Sequence, residues 1–268
     1  MVAPSSGSSG LVPAPAPEQF ELVTEDRVRL EARWWEPAVP AAGAPAAVLV
    51  HGFGAGQDLP GLLATVRHLT GRGLAVLTYD ARGHRASEGV CTLGDRERLD
   101  VDAAVAAAAD RSASGQVVVA GESMGGIAVL NHLAAGSNVL GAVIVATPAR
   151  WEVPRTPRGV AAVALTQTRL GRSFVARRFR TRLAVRPPRG APPVEQAARV
   201  RRPVAVVHGA ADRFCPPAAA LALRDALPPP SRVEIVPGMG HGFRPEAIPA
   251  VDRALNWVVE LDAPAVPA

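Results

Sequence analysis

Several residue types are scarce or absent in this chain, and each absence excludes a class of protein. No lysine occurs, so all 29 Lys and Arg positions are arginine, which together with abundant Ala, Pro and Val indicates coding bias rather than chemistry. Cys91 and Cys215 are too few for a disulfide framework and show no metal-ligand spacing. No apolar run reaches the roughly 18 residues of a transmembrane helix. We therefore expect a soluble protein of the reducing cytoplasm that holds no metal and no other cofactor.

The N-terminal stretch also lacks the features of a secretory signal. Residues 1–17 are rich in Pro, Ser, Gly and Ala and contain neither a basic segment nor an apolar core. Such a composition is typical of a flexible chain. We predict a flexible tail over residues 1–18.

Positive charge is concentrated in one part of the sequence. The net charge is +5, but residues 150–202 contain 14 arginines against two glutamates, Glu152 and Glu195, so that this segment carries +12 and the remainder −7. A basic chain is suited to bind nucleic acids or anionic membranes. A binding protein of this kind is the alternative that comes from a different functional class. No RNP, zinc-finger or helix-turn-helix pattern accompanies the charge, so we expect no nucleic-acid partner.

Short apolar runs alternate with longer helical patterns along most of the chain. This alternation is typical of a mostly parallel sheet covered by helices on both faces. The predicted strands of the alternating series are 46–50, 74–78, 117–120, 139–146, 203–207 and 233–236. The predicted helices are 58–71, 95–110, 124–135, 216–227 and 246–260. Two antiparallel strands, 19–24 and 28–35, are predicted to precede them.

Residues 149–202 interrupt the alternation because they are longer than a usual crossover. We predict that they form a short basic cap inserted into a single core domain of residues 19–148 and 203–262. Residues 159–183 could form one or two amphipathic helices. An irregular return path is predicted from four prolines: Pro187, Pro188, Pro192 and Pro193.

A glycine-flanked serine follows the predicted strand 117–120. Gly121-Glu122-Ser123-Met124-Gly125 matches G-x-S-x-G, with an apolar strand before it and a helix-compatible run after it. The sharp turn of this motif strains the serine backbone and brings neighbouring chain close, which calls for glycine at the outer two positions. Ser123 is therefore the predicted nucleophile, at the N-terminus of a helix.

A serine nucleophile needs a base, and six histidines are available. His241 lies in a glycine-rich loop directly after the last predicted strand, where its ring can reach the sheet edge. We therefore predict that His241 is the general base. Structural or surface roles are expected for the others, which are His51, His68, His84, His132 and His208.

The histidine needs a carboxylate that holds it in one tautomer. Asp212 follows the predicted strand just before the histidine loop, which gives the chain order Ser, Asp, His. Asp80 is the rival because it also follows a strand, but it lies on the other side of the nucleophile in the expected sheet order. Glu122 neighbours the serine and is interpreted as a buried salt-bridge or hydrogen-bond partner. Asp212 is the predicted orienting acid.

Two backbone amides are predicted to hold a developing oxyanion. One belongs to Met124, at the start of the helix, and the other to Phe53, in the loop of residues 51–56. That loop superficially resembles a dinucleotide-binding loop, but its glycines are not spaced as G-x-G-x-x-G and no acidic residue ends the next strand. We expect no nucleotide cofactor.

Taken together, these segments resemble the α/β-hydrolase superfamily, in its small esterase, monoacylglycerol-lipase and thioesterase-like branch. The resemblance covers roughly residues 19–260 and rests on HGFGAG at 51–56, YDARGHRASEG at 79–89, GESMGG at 121–126, HGAADRFCP at 208–216 and GMGHGF at 238–243. It implies an α/β-hydrolase fold with an eight-stranded, mostly parallel sheet flanked by helices, a Ser-Asp-His triad and two oxyanion amides on the residues chosen above. Relatives usually carry glycine where Arg85 stands, so we expect a reshaped loop there.

The predicted activity is hydrolysis of a small-molecule carboxylic ester or thioester through an acyl-enzyme on Ser123. Clustered arginines raise the local concentration of anions. The cap therefore favours an anionic substrate, or a thioesterase acting on CoA-bound or carrier-protein-bound acyl groups. The alternative interpretation of the arginine cluster is a solvated surface on which arginine simply replaces lysine. The alternative for the whole chain is a non-catalytic binding module with the same fold.

Overall fold

The computed structural model describes residues 15–151, 166–185 and 190–262. Most of the predicted tail and two parts of the predicted cap, residues 152–165 and 186–189, lie outside the described residues. The division into core and cap therefore stays a prediction.

Eight strands form one sheet, in the order β1-β2-β4-β3-β5-β6-β7-β8. They are β1 (Glu18–Val23), β2 (Arg29–Trp35), β3 (Ala46–Val50), β4 (Val76–Tyr79), β5 (Val117–Glu122), β6 (Gly141–Val145), β7 (Val204–Gly209) and β8 (Ser231–Val236). Strand β2 pairs antiparallel with both of its neighbours, and the pairs from β4 through to β8 are all parallel. The predicted eight-stranded, mostly parallel sheet is confirmed.

The central strands are rich in valine and buried along their whole length, which is the pattern of strands covered on both faces. The helices are α1 (Pro60–Gly71), α2 (Glu97–Arg111), α3 (Met124–Ala134), α4 (Arg169–Arg178), α5 (Pro193–Ala197), α6 (Ala218–Ala226) and α7 (Ile248–Asp262). One core cluster packs α2, α3 and α6 on one face of the sheet. The other packs α1 and α7 on the opposite face.

In the range 159–183, where one or two helices were predicted, the structure describes one helix, α4. A second, short helix, α5, lies in the proline-rich part for which an irregular path was predicted. Helix α4 lies within the predicted range, but the prediction for the prolines was wrong at Pro193, which begins α5. Proline is favoured at the first helical position, where its missing N–H leaves no intrahelical bond unmade. Pro187 and Pro188 lie outside the described residues.

The cap segment after α4 is joined to the loop that follows β4. Thr181 forms an antiparallel bridge with His84, and Leu183 forms a parallel bridge with Cys91. Arg182 reinforces them, since its amide donates to the Gly83 carbonyl and its carbonyl accepts from the Cys91 amide, both at 2.7 Å. This pairing places the end of α4 beside the carboxyl edge of the sheet. Across the described ranges, no helix is both long enough and apolar enough to cross a membrane.

Replacing Ile144, which is fully buried in β6, with alanine should destabilise the fold strongly. We expect the free energy of unfolding to fall by about 2–5 kcal/mol, because the side chain is lost from a core that cannot collapse around the cavity. Urea denaturation followed by circular dichroism measures this change. The matched control is Val39→Ala, at a side chain that is 73% exposed, which should change the midpoint little. Equal losses in the two variants would contradict the described core.

Candidate active site

The turn between β5 and α3 holds Ser123 in an uncommon backbone conformation. Its φ is +50° and its ψ is −114°, a region that a residue with a side chain adopts only at a cost of about 1–3 kcal/mol. Two hydrogen bonds hold it there, from the Ser123 amide to the Val145 carbonyl at 2.8 Å and from the Ile127 amide to the Ser123 carbonyl at 3.1 Å. The serine therefore lies above the sheet at the N-terminus of a buried helix.

The glycines on either side of the serine are required by close contacts, as the motif predicts. A Cβ at Gly121 would lie 2.7 Å from the carbonyl group of Gly125. A Cβ at Gly125 would lie 2.5 Å from the Val50 carbonyl oxygen, and one at Gly126 would lie 1.9 Å from Thr147 Oγ1. All three glycines therefore pack closely, two of them against backbone atoms and the third against a buried hydroxyl.

The side chains of Ser123, His241 and Asp212 form one hydrogen-bonded line. His241 Nε2 lies 3.0 Å from Ser123 Oγ, and His241 Nδ1 lies 2.7 Å from Asp212 Oδ2. The serine follows β5, the aspartate lies in the loop after β7, and the histidine lies in the loop after β8. An imidazole in this position can accept the serine proton while its other nitrogen donates to the carboxylate.

Asp212 is fully buried and well supplied with hydrogen bonds. Its Oδ1 accepts from the amides of Phe214 and Cys215, both at 2.8 Å. Burial alone would raise the pKa of Asp212, but the His241 hydrogen bond and the two amides lower it overall. The group is therefore a carboxylate near neutral pH, which is the form that stabilises a charged imidazole.

The two amides predicted as oxyanion donors lie next to the serine. Met124 begins α3, and Phe53 follows Gly52, at which a Cβ would lie 3.4 Å from Ser123 Cβ. Within the described part of the chain, neither the Phe53 amide nor the Met124 amide donates a hydrogen bond. Both amides are thus without an acceptor in that part of the chain, at positions that adjoin Ser123 and Gly52.

His51 and His84 tie loops together, in agreement with the structural roles expected for them. His51 Nε2 accepts from the Ala81 amide at 2.9 Å, and His84 Nε2 accepts from the Gly54 amide at 3.2 Å. Burial lowers the pKa of His51 to about 4 and that of His84 to about 3. Both rings are therefore neutral near pH 7.

His208 is also buried, and its Nε2 donates to the Cys215 carbonyl at 2.9 Å.

Asp80, the rival carboxylate, has partners other than His241. It accepts from the Gln57 amide at 2.8 Å, and burial raises its pKa. Arg85, around which we expected a reshaped loop, lies beside it with Nε 3.8 Å from Asp80 Oδ1 and also pairs with Asp58 at 2.7 Å. The φ of Arg85 is +48°, a conformation that favours glycine over residues with a side chain. A polar pocket of about 200 Å³ is lined by Asp80, Arg85 and Arg180, among others.

Glu122 joins two loops of the site, which agrees with its interpretation as a buried hydrogen-bond partner. Its Oε1 accepts from the Gly52 amide at 3.1 Å, and its Oε2 accepts from the Phe243 amide. Burial raises the pKa of Glu122, while the two amides act in the opposite direction. The sequence indicated a partner for this residue but not which loops it would connect.

Two aromatic residues beside the site were not predicted from the sequence. The Phe214 ring is 70% exposed and lies 4.8 Å from the His241 ring, measured between centroids. Phe179, which follows α4, packs on the loop of residues 51–56, where a Cβ at Gly54 would lie 3.3 Å from Phe179 Cδ1. Isolated aromatics in loops are common, so no sequence pattern distinguishes these two from others.

Residues 166–185, the part of the predicted cap that contains α4, carry only positive charge. Residues 166–185 contain six arginines and no Asp or Glu. The arginines are Arg169, Arg172, Arg177, Arg178, Arg180 and Arg182. The Arg178 guanidinium lies over the Phe179 ring, 5.4 Å from its centroid, and the Arg182 guanidinium donates to carbonyls of the loop after β4. Positive charge is thus placed next to the edge of the sheet that carries Ser123.

The strand order, the strained serine turn and the histidine loop after β8 define an α/β-hydrolase architecture. Solved structures with the same fold include an esterase of Pyrococcus furiosus, with 20% identity, a TM-score of 0.71 and 91% of each chain covered. They also include an esterase of Thermogutta terrifontis, with 19% identity, a TM-score of 0.64 and coverage of 92% of this chain and 100% of that chain. An esterase of Rhodococcus is similar too, with 21% identity, a TM-score of 0.60 and coverage of 91% and 96%.

The chain belongs to the alpha/beta hydrolase family, whose family model matches residues 47–258. An uncharacterized protein of Mycobacterium tuberculosis is 28% identical over 250 residues, which cover 87% of this chain and 77% of that protein. Membership of this family supports a hydrolase activity.

Replacing Gly125 with alanine should disrupt the serine turn, because the new Cβ would meet the Val50 carbonyl oxygen at 2.5 Å. We expect the free energy of unfolding to fall by about 1–3 kcal/mol, as for other overpacked sites. Urea denaturation of the purified variant measures the loss. Gly71→Ala is the matched control, since a Cβ at Gly71 in α1 meets nothing within 4 Å. A Gly125→Ala variant as stable as this control would be inconsistent with the close approach.

Proposed function

We propose that this protein is a serine hydrolase that cleaves a carboxylic ester or thioester through an acyl-enzyme on Ser123. The observation that carries the proposal is the hydrogen-bonded line of Ser123, His241 and Asp212, with distances of 3.0 and 2.7 Å. Each member has the chemical type that acyl transfer needs: a hydroxyl, an imidazole and a buried carboxylate.

In the first half of the reaction, Ser123 Oγ forms a bond to the acyl carbonyl carbon while His241 Nε2 takes the hydroxyl proton. The carbonyl oxygen becomes an oxyanion, which the amides of Phe53 and Met124 stabilise. The bond from carbon to the leaving oxygen or sulfur then breaks. The leaving group receives the proton from His241, and the acyl group stays on the serine.

In the second half, water attacks the acyl-enzyme and gives its proton to His241. The bond between Ser123 Oγ and the acyl carbon breaks, and the serine takes the proton back. Asp212 keeps His241 Nδ1 protonated in both halves and stabilises the imidazolium. The similar structures named above include three esterases, which supports an ester rather than a peptide substrate.

Replacing Ser123 with alanine should abolish labelling by a fluorophosphonate probe and lower kcat for a p-nitrophenyl ester by at least about a thousandfold, because the nucleophile is removed. Asp212→Asn should lower kcat by about 10³–10⁴-fold, because the wrong tautomer of His241 is then favoured. Both kcat values come from steady-state hydrolysis assays.

Asp80→Asn is the control for the second variant, since it changes the rival buried carboxylate and should keep most of the activity. A wild-type protein that neither binds the probe nor hydrolyses a panel of esters and thioesters would overturn the proposal. A non-catalytic binding module would then be favoured.

The arginines of the predicted cap favour an anionic substrate within this proposal, including an acyl group bound to CoA or to an acidic carrier protein. The Arg178 guanidinium lies over the Phe179 ring, which packs on the loop of residues 51–56, which we call the oxyanion loop. Arg180 lines the polar pocket beside Asp80. Positive charge next to a site raises the local concentration of anions, and salt weakens the effect.

The double variant Arg178→Gln with Arg180→Gln should therefore lose activity selectively. We expect kcat/KM for acyl-CoA to fall by about 3–10-fold relative to that for a neutral p-nitrophenyl ester, as expected for the loss of electrostatic steering. Arg224→Gln with Arg253→Gln removes the same charge from α6 and α7, outside the predicted cap, and serves as the charge-matched control. Equal losses on both substrates would contradict recruitment of anions by the cap.

A further inference from the structure

Glu122 is a buried carboxylate beside the nucleophile whose two oxygens hold two different loops. Its side chain accepts from the Gly52 amide of the loop after β3 and from the Phe243 amide of the loop after β8. The residue is 4% exposed. The groups of opposite charge that face it from the surrounding elements are Arg244 and, when it carries the proton during the reaction, His241, and both favour its ionised form.

The two loops approach this carboxylate closely because each has a glycine at the contact. A Cβ at Gly52 would lie 3.2 Å from Glu122 Oε1. A Cβ at Gly242 would lie 2.6 Å from Glu122 Oε2, and Gly242 also has a φ of +81°. The site is therefore shaped around the carboxylate on both sides.

Each loop carries a group that the proposed reaction uses. Gly52 immediately precedes Phe53, whose amide is a proposed oxyanion donor. Phe243 follows His241, the proposed base, by two residues. A single side chain, from the residue before the serine, thus accepts hydrogen bonds from the backbone of both loops.

We propose that Glu122 is a positioning residue that holds the oxyanion loop and the histidine loop in fixed relation to Ser123. The inference rests on the proposed function and adds a residue that acts through the others without touching the substrate. Small errors of placement matter here, because a displacement of about 1 Å in an active site can cost about 100-fold in rate.

Only an ionised carboxylate can accept the hydrogen bonds of both loop amides fully. Its two oxygens accept both N–H groups, whereas a glutamine offers one oxygen and turns an NH₂ group toward the other donor. An unmade bond to a buried amide is costly, and the freed loop would relax. Glu122→Gln therefore removes one of the two connections with almost no change in volume.

The test measures kcat, KM, the melting temperature and the inhibition constant of a trifluoromethyl ketone, which adds to the serine and mimics the oxyanion. For Glu122→Gln we expect kcat to fall by about 10–100-fold, with KM within about threefold of the wild-type value. The inhibition constant should rise by a factor similar to the fall in kcat, because both depend on the aligned oxyanion donors. A purely structural role would change the melting temperature without this parallel.

Glu97→Gln is the matched control, since Glu97 is also a buried glutamate whose two oxygens accept two amides, those of Thr92 and Gly94, but it has no bond to either loop of the site. It should keep kcat within about threefold. If Glu122→Gln keeps kcat within threefold, or if Glu97→Gln loses as much, the inference is overturned. If Glu122→Gln does not fold, Glu122→Asp replaces it, since the shorter carboxylate keeps the charge but cannot reach both amides. Wild-type kcat in that variant overturns the inference, and a fall of at least tenfold supports it.

An inactive wild-type enzyme would show that the proposed function itself is wrong. An active wild type with an equally active Glu122→Gln variant would show that only the role of Glu122 is wrong. The two failures are therefore distinguishable.

Discussion

The turn at Ser123 is the constraint on which the rest of the site depends. Its left-handed φ of +50° is unfavourable for serine, and it persists because packing leaves no alternative. The backbones at Gly121 and Gly125 touch each other and strand β3, so the turn cannot relax without moving the centre of the sheet. The rigid, fully buried core in this way maintains the strained backbone conformation of Ser123.

Two buried carboxylates near the histidine differ in environment, and the difference separates their proposed roles. Asp212 accepts two amides and a histidine hydrogen bond, which lower its pKa despite burial. Glu122 accepts two amides from separate loops, and burial raises its pKa. Asp212 is suited to stabilise a charge that develops during reaction, whereas Glu122 is suited to hold backbone in place.

The predicted cap contacts the loops around the site through backbone pairing and side-chain packing. Its segment after α4 pairs with the loop that follows β4, and Phe179 packs on the oxyanion loop. Arg85 fills the space between these loops in a conformation that usually requires glycine. The cap segment, the loop after β4 and the loop of residues 51–56 are therefore in contact on this side of the serine.

The alternation of apolar runs and helical patterns was enough to predict the mostly parallel sheet, because strands covered on both faces must be apolar throughout. The G-x-S-x-G motif predicted the serine turn, because the close contacts at Gly121 and Gly125 admit only glycine. The contacts of Glu122, Phe179 and Phe214 were decided only by the tertiary structure. They join segments 70 or more residues apart or depend on loop conformation, and neither kind of contact leaves a periodic pattern in the sequence.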